Sequence, residues 1–224
     1  MAQPLDLQEQ EQLDALKAFW KTYGNLITWA LIAALAVFAG LNGWKWWQRE
    51  QSMKAAAMYD ELDRAAQSGN AQRAGQIFAD LKQRYPRTVY AEQGGLLAAS
   101  VQFASGQSSE AQASLDWVAH NATEAEYQTV ARLRLAGLLL QAKDYDAALK
   151  QLDQAKAPTF AALVADRRGD VLLAQGKPAE ARSAYQAAWQ AMDSKVEYRR
   201  LIEAKLTALG AAPDAPAKAA ETLQ

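Results

Sequence analysis

The sequence predicts an all-α fold, in which one N-terminal transmembrane helix is followed by an α-solenoid of stacked helix pairs. Three observations support this fold class. A long stretch without charge lies near the N-terminus, alanine is abundant while β-branched residues are sparse, and alanines at matching places recur every 33 to 37 residues. Alanine is the best helix former, whereas β-branched residues favour strands.

Charge and composition exclude several classes of function. The chain has 224 residues, with 24 basic and 25 acidic side chains and a formal net charge of −1. The first 21 residues hold four acidic and two basic side chains, a balance of −2, which leaves +1 for the remainder. A near-neutral chain without a basic stripe lacks the electrostatic footprint of a nucleic-acid binder. The absence of cysteine excludes disulfides, thiolate metal sites and a cysteine nucleophile.

The predicted transmembrane helix covers residues 22–44, after an N-terminal tail of residues 1–21. Its 23 residues carry no charge and are bracketed by Lys21 and Lys45. A helix of this length rises about 34 Å, which is enough to cross a hydrocarbon core of about 30 Å. Aromatic side chains stand at both edges of the segment, as an interfacial belt requires: Tyr23, Trp44, Trp46 and Trp47.

A cleavable signal peptide is the main alternative to a retained membrane helix. Ala34-Leu35-Ala36 matches the small-x-small pattern of a cleavage site. A signal peptide begins with a basic region, however, whereas this tail is acidic. The apolar run also continues beyond the cleavage pattern into the tryptophan cluster. We therefore interpret the segment as a retained span.

Flanking charge leaves the orientation of the span open. Lys17 and Lys21 precede it, and Lys45, Arg49 and Lys54 follow it. The positive-inside rule thus favours a cytoplasmic C-terminus by a margin of one residue. Large domains can translocate regardless of flanking charge, so this margin does not decide the orientation.

The rest of the chain repeats a motif of two helices joined by a short polar turn. In the clearest copy, Gly169, Gly176, Ala181, Tyr185 and Ala188 occupy the small, turn, small, large and small positions of a tetratricopeptide repeat. Small residues let two helices approach closely, and the large residue fills the groove between them. The matching alanines of four copies lie 37, 37 and 33 residues apart: Ala74, Ala111, Ala148 and Ala181. A generic alanine-rich bundle is the alternative, which four copies in near-register disfavour.

The predicted tetratricopeptide-repeat-like domain covers residues 45–209. We expect a helix over 51–68 near its start and a capping helix over 196–209 at its end. Residues 210–224 contain Pro213 and Pro216 among alanines without periodicity, so this tail is predicted to be disordered.

Little in the sequence points to catalysis, a cofactor or a metal. His120 is the only histidine and stands near a predicted helix C-terminus, where it can interact with unpaired carbonyl groups. Asp166 and Asp170 lie one helical turn apart and could form a general acid/base pair, but a solvated face or a partner-binding charge is commoner. We therefore predict no catalytic residues, no cofactor and no metal site.

A concave face lined by the first helix of each pair is the predicted binding site for another protein. Stacked repeats create such a face, which suits an extended or helical segment of a partner. Counted from the repeat anchors, the face combines apolar and acidic residues: Leu96, Ser100, Phe103, Val130, Leu133, Leu140, Leu163, Asp166, Asp170 and Leu173. Some of these leucines could instead belong to the core between repeats.

The layout as a whole resembles the YfgM family. The resemblance is carried by an acidic tail, a span that ends in Gly43-Trp44-Lys45-Trp46-Trp47, and two blocks of the repeats. The blocks are Val164-Ala165-Asp166-Arg167-Arg168-Gly169-Asp170 to Ala181-Arg182-Ser183-Ala184-Tyr185, and Leu133-Arg134-Leu135-Ala136 leading into Asp146-Ala147-Ala148-Leu149. The similarity covers nearly the full chain, is strongest over 130–190, and is weak over 50–90 and after 210.

The resemblance implies an ancillary subunit of the bacterial SecYEG translocon. It implies a single-pass protein of the inner membrane, with the tail in the cytoplasm and the repeat domain in the periplasm. The implied partners are the SecYEG translocon, a PpiD-like membrane-anchored chaperone, exported polypeptides and the lipid bilayer. A link to an RcsB-dependent stress response is also implied. A membrane-tethered repeat scaffold for cell-envelope assembly or division is the alternative, because the same fold could serve other clients.

Overall fold

The computed structural model describes residues 7–212, with side chains described from residue 11 onward. This range is built from helices and holds no strand, which confirms the all-α prediction. Its α-helices are, in chain order, α1 Leu7–Gln67, α2 Ala71–Arg84, α3 Val89–Ala104, α4 Ser108–Asn121, α5 Ala125–Gln141, α6 Tyr145–Asp153, α7 Ala161–Ala174, α8 Pro178–Ala191 and α9 Arg199–Ala208. A short 3₁₀ helix, Pro158–Phe160, precedes α7. Most of the tail predicted to be disordered, residues 213–224, lies outside the described residues.

The chain divides into two compact units, Met1–Gln51 and Ser52–Gln224. Within the described residues, α1 is the one helix that is long and apolar enough to cross a membrane. The predicted segment 22–44 lies in the part of α1 that belongs to the first unit. Large apolar side chains stand exposed along it; Leu26, Trp29 and Phe38 are 69%, 65% and 67% exposed. The buried core of a soluble domain does not leave such side chains uncovered, whereas a lipid-facing helix does.

The second unit consists of stacked helix pairs. From α2 onward each helix packs against the next, and α5 also contacts α3 and α7. The four anchor alanines lie on α2, α4, α6 and α8 and are completely buried: Ala74, Ala111, Ala148 and Ala181. Their burial confirms that the sequence period marks helix contacts, since a small residue at each crossing allows close approach.

The turns between paired helices share one backbone geometry. Gly176 ends its helix with φ +76° and Pro178 begins α8, as the sequence predicts. Gly69 and Gly106 take the same left-handed conformation at the ends of α1 and α3. At the matching place after α5 stands Lys143, the one described residue other than glycine with positive φ, at 60°. Glycine suits these places because it has no Cβ to clash in the left-handed region.

The last helix is shorter than the sequence predicts. We expected a capping helix over 196–209, whereas α9 is Arg199–Ala208. The residues before it form tight turns, in which the Arg199 amide donates to the Val196 carbonyl three residues back. Bonds of this i to i+3 kind close turns or 3₁₀ segments and do not continue an α-helix.

Candidate protein-binding groove

An apolar groove of about 620 Å³ opens on the second unit. Its walls come mainly from α3, α5 and α7, which are the first helices of three successive pairs. The contacts of α5 with α3 and α7 place these three helices side by side, so equivalent positions on each face the same space. A groove of this size on a repeat domain can hold several side chains of an extended or helical segment.

Seven of the ten residues predicted for the partner-binding face line this groove. They are Ser100, Phe103, Val130, Leu133, Leu140, Leu163 and Asp166. Leu96, Asp170 and Leu173 are not among the lining residues. Leu96 packs against the core cluster around Leu115 instead, and Leu173 is 42% exposed near the end of α7. The structure thus brings most of the predicted face together, and its role in binding remains a prediction.

The two carboxylates on α7 are bound by residues of the chain itself. Lys205 of α9 donates to Asp166 Oδ1 and Oδ2 over 2.8 and 2.9 Å, and to Asp170 Oδ1 over 2.7 Å. Tyr198 donates to Asp166 over 2.8 Å, and Tyr185 donates to Asp170 over 2.9 Å. We define these five residues as the α9 clamp. Asp166 and Tyr185 are buried while Lys205 and Asp170 are about one fifth exposed, so the clamp is a partly buried ion-pair cluster that joins α7, α8 and α9.

The tyrosines of the clamp serve as hydrogen-bond donors. Burial, followed by the hydrogen bond to Asp170, raises the pKa of Tyr185 far above its ordinary value. Burial and the bond to Asp166 raise the pKa of Tyr198 in the same way. Both hydroxyl groups therefore keep their protons at neutral pH and can donate them in hydrogen bonds to Asp166 and Asp170. A catalytic base would need a carboxylate free to take a proton from a substrate, whereas three of these four oxygens accept bonds from Lys205 and the tyrosines and Asp170 Oδ2 is ion-paired with Arg167.

Two arginines that the sequence analysis did not select also line the groove. Arg134 on α5 donates from Nη1 to the Leu96 carbonyl of α3 over 2.9 Å, so it bridges two walls. Arg167 on α7 lies over α5, with Nη1 3.9 Å from the place where a Cβ on Gly137 would be. A side chain no larger than a methyl group at position 137 would therefore meet the guanidinium group at an ordinary contact distance.

The spacing of these two arginines in the sequence could have identified them. Arg134 and Arg167 are 33 residues apart, which is also the spacing between Ala148 and Ala181. They therefore occupy equivalent positions in successive repeats. The remaining lining residues that sequence reasoning missed are Ala99, Leu115, Gly137, Leu138, Gln141, Phe160 and Tyr198.

The described residues provide no metal site at the groove or elsewhere in their range, since no group of three His, Asp or Glu side chains is suitably placed. His120 lies near the end of α4, with Nδ1 2.7 Å from the carbonyl oxygen of Asp116. Asp116 lies within α4 and is not one of its last four residues, so the contact is with a carbonyl inside the helix and not with an unpaired one as predicted.

Comparison with known proteins assigns this architecture to a family. A family model described as a tetratricopeptide repeat-like domain matches residues 17–211. A protein of Neisseria gonorrhoeae named ancillary SecYEG translocon subunit is 35% identical over 206 residues, which is 91% of this chain and 98% of the relative. A protein of the same name from Escherichia coli K12 is 29% identical, over 80% of this chain and 86% of the relative. Another from Haemophilus influenzae is 28% identical, over 82% of this chain and 90% of the relative.

Proposed function

This chain belongs to the tetratricopeptide repeat-like family of ancillary SecYEG translocon subunits, and from this premise we propose that it is an inner-membrane accessory subunit of the SecYEG translocon. The observation that carries the proposal is the similarity to a relative of that name along 91% of this chain. The proposal assigns residues 22–44 to the membrane span, 45–209 to the repeat domain, and 1–21 and 210–224 to the two tails.

In this proposal the repeat domain binds a partner protein through its groove. The support is geometric, because three first helices of the repeats line one apolar groove that contains seven of the ten predicted residues. The partner that we propose is a PpiD-like membrane-anchored chaperone on the periplasmic side, where the pair would assist newly exported proteins. No catalysis is assigned to the chain. In support, Asp166 and Asp170 accept hydrogen bonds from Lys205 and two tyrosines within the fold.

Co-purification of the full chain from membranes in mild detergent tests this function. Phe103 lines the groove and is 41% exposed, while Leu201 on α9 lies outside the lining and is 47% exposed. We expect the unchanged chain and Leu201→Ser to recover translocon subunits and the chaperone. Phe103→Ser should recover at least roughly fivefold less chaperone, because removal of a central aromatic contact costs more than about 1 kcal/mol at many interfaces.

Two results would count against the proposal. If the unchanged chain recovered neither translocon subunits nor a chaperone, the accessory role would be wrong. If Phe103→Ser and Leu201→Ser recovered the same amounts, the groove would not be the binding site. Recovery of wall-synthesis or division proteins in place of translocon subunits would support the alternative scaffold role.

A further inference from the structure

We propose that the groove selects an apolar polypeptide segment that carries a carboxylate, with Arg134 and Arg167 holding that carboxylate. This inference rests on the proposed function of the groove as a protein-binding site. The sequence suggests an apolar and acidic face, which would attract a positively charged ligand. The proposal assigns a negatively charged ligand to the same face. The reversal follows from where the structure places the charged groups.

The acidic groups of the face pair with cations of the fold, since Lys205 contacts both carboxylates and Arg167 forms a further ion pair with Asp170. Both oxygens of Asp166 accept from Lys205, and Oδ2 also accepts from Tyr198. The Asp166 side chain is 3% exposed, and that of Asp170 is 22% exposed and shares the same lysine. A cationic ligand therefore finds no unpaired carboxylate in this part of the groove.

The basic groups, in contrast, keep donors for a ligand. Arg134 donates to the Leu96 carbonyl through Nη1, and a guanidinium group has five N–H donors in all. Arg167 lies with Nη1 3.8 Å from Asp170 Oδ2, which is too long for a hydrogen bond, and its side chain is 39% exposed. Both groups can thus turn N–H donors toward a carboxylate, a pairing that arginine makes with good geometry.

Both arginines line the same groove. Arg134 is one turn before Gly137 on α5, and Arg167 reaches over Gly137 from α7. Three leucines of α5 line the groove as well, namely Leu133, Leu138 and Leu140. An incoming segment would bury apolar side chains on these leucines while its carboxylate meets the arginines.

The polar rim favours a polypeptide over a lipid chain. Ser100 and Gln141 line the groove and are exposed, so their side chains can donate to or accept from a peptide backbone. A bound peptide needs such partners for its amide groups, whereas an acyl chain does not. An acyl chain with a terminal carboxylate is therefore the competing ligand, and the experiment separates the two.

The test measures how the full chain, in phosphatidylcholine nanodiscs, binds a designed peptide. The probe is a 14-residue peptide of Ala, Leu and Ser with one central Glu, capped at both ends and labelled with a neutral fluorophore. A matched peptide carries Gln in place of Glu. We expect fluorescence anisotropy to show roughly tenfold tighter binding of the Glu peptide, as for one charge-assisted hydrogen bond. The preference should shrink as salt increases.

Arginine variants test whether Arg134 and Arg167 cause the preference for the Glu peptide. The double variant Arg134→Gln/Arg167→Gln should bind both peptides equally. The double variant Arg134→Lys/Arg167→Lys should keep part of the preference for the Glu peptide. Arg168→Gln/Arg182→Gln is the matched control, because Arg168 pairs with Asp153 and Arg182 donates to the Leu209 carbonyl, both outside the groove lining. The control should keep the full preference, and thermal unfolding by circular dichroism checks that each variant is folded.

The proposal is overturned if the two peptides bind equally, if neither binds, or if the groove and control variants behave alike. Binding of fluorescently labelled decanoate without any peptide binding would assign the groove to a lipid and also overturn the proposal. Failure here is distinct from failure of the proposed function. Loss of the chaperone in Phe103→Ser together with equal binding of both peptides would keep the groove as a binding site and reject the carboxylate alone.

Discussion

At the scale of single residues, the α9 clamp places the charge of Asp166 in a buried position. Asp166 is buried, and its carboxylate accepts hydrogen bonds from Lys205 and Tyr198. Removing one partner from a buried pair leaves an uncompensated charge, which costs far more than the loss of a surface pair. The clamp therefore holds α9 against α7 through ion pairs and hydrogen bonds as well as through packing.

We predict that Lys205→Met lowers the free energy of unfolding by on the order of 3 kcal/mol. The matched control is Arg73→Met, because the Arg73–Glu61 pair is 3.7 Å long and more than half exposed on both sides. That change should cost less than about 0.5 kcal/mol. Urea unfolding of the full chain in mild detergent measures both. Equal costs for the two variants would show that the clamp is no more than a surface ion pair.

A second buried carboxylate, Glu92, joins two helix pairs. Its Oε1 accepts from the amide of Thr123 over 2.7 Å, just before α5, while Oε2 has no hydrogen-bond partner within the described residues. Burial raises the pKa of Glu92, and the nearby charge of Glu124 raises it further. The ionised form is thus disfavoured in the folded state relative to the unfolded chain.

The sign of the pH effect follows from proton binding. Between the unfolded pKa of about 4.3 and the higher folded pKa, the folded chain retains a proton that the unfolded chain has lost. The contribution of Glu92 to stability is therefore complete below this window and is lost as pH rises through the folded pKa. Glu92→Gln keeps an acceptor for Thr123 and removes the ionisation.

We expect the stability of Glu92→Gln relative to the unchanged chain to increase as pH rises from 4.5 to 8. Urea unfolding at several pH values gives this difference, in which the other titrating groups cancel. A difference that is constant with pH, or that moves the opposite way, would contradict the assignment of a raised pKa to Glu92.

At the scale of helices, close packing depends on glycine where two helices cross. A Cβ on Gly169 of α7 would lie 2.5 Å from Tyr185 Cδ1 of α8, so the ring occupies the space that a side chain would need. Gly137 of α5 differs, because the nearest atom to its Cβ position is 3.9 Å away, at an ordinary contact distance.

We predict opposite effects for the same substitution at these two glycines. Gly169→Ala should lower the free energy of unfolding by about 1–3 kcal/mol, because it overpacks the crossing with Tyr185. Gly137→Ala should raise it by about 0.5–1 kcal/mol, because alanine favours the helix and meets no clash. Thermal or urea unfolding compares the pair. Equal effects would mean that the approach of α7 to α8 does not depend on Gly169.

The helices were predictable from the sequence to the extent that their contacts are local. Ala74, Ala111, Ala148 and Ala181 are recognised by spacing alone, since each contact involves a helix and its neighbour in the chain. The role of Asp166 was not predictable, because its partner Lys205 is 39 residues away and no local pattern links the two. Seven groove residues followed from the repeat period, while Arg134 and Arg167 were missed because the count selected apolar and acidic side chains.

At the scale of the whole molecule, the proposed function depends on which side of the membrane holds the repeat domain. The number of basic residues near the span differs by only one between its two sides, so flanking charge does not decide the orientation of the span. Our proposal of a periplasmic repeat domain therefore needs a direct test.

We predict that a reporter active only outside the cytoplasm is active when fused after residue 224. A reporter active only inside the cytoplasm, fused at the same place, should be inactive and serves as the matched control. The opposite pair of results would place the repeats in the cytoplasm and reject the periplasmic role, leaving the repeat fold itself unaffected.

The spacing within the α9 clamp has a consequence for synthesis. Asp166 leaves the ribosome 39 residues before Lys205. At about 5–20 residues per second, the carboxylate therefore precedes its cation by roughly 2–8 s. During this interval α7 and α8 can meet, but burial of Asp166 must follow the arrival of α9. A chain that stops short of Lys205 retains two carboxylates without their lysine, so the last pair of helices becomes fully stable only in a completed product.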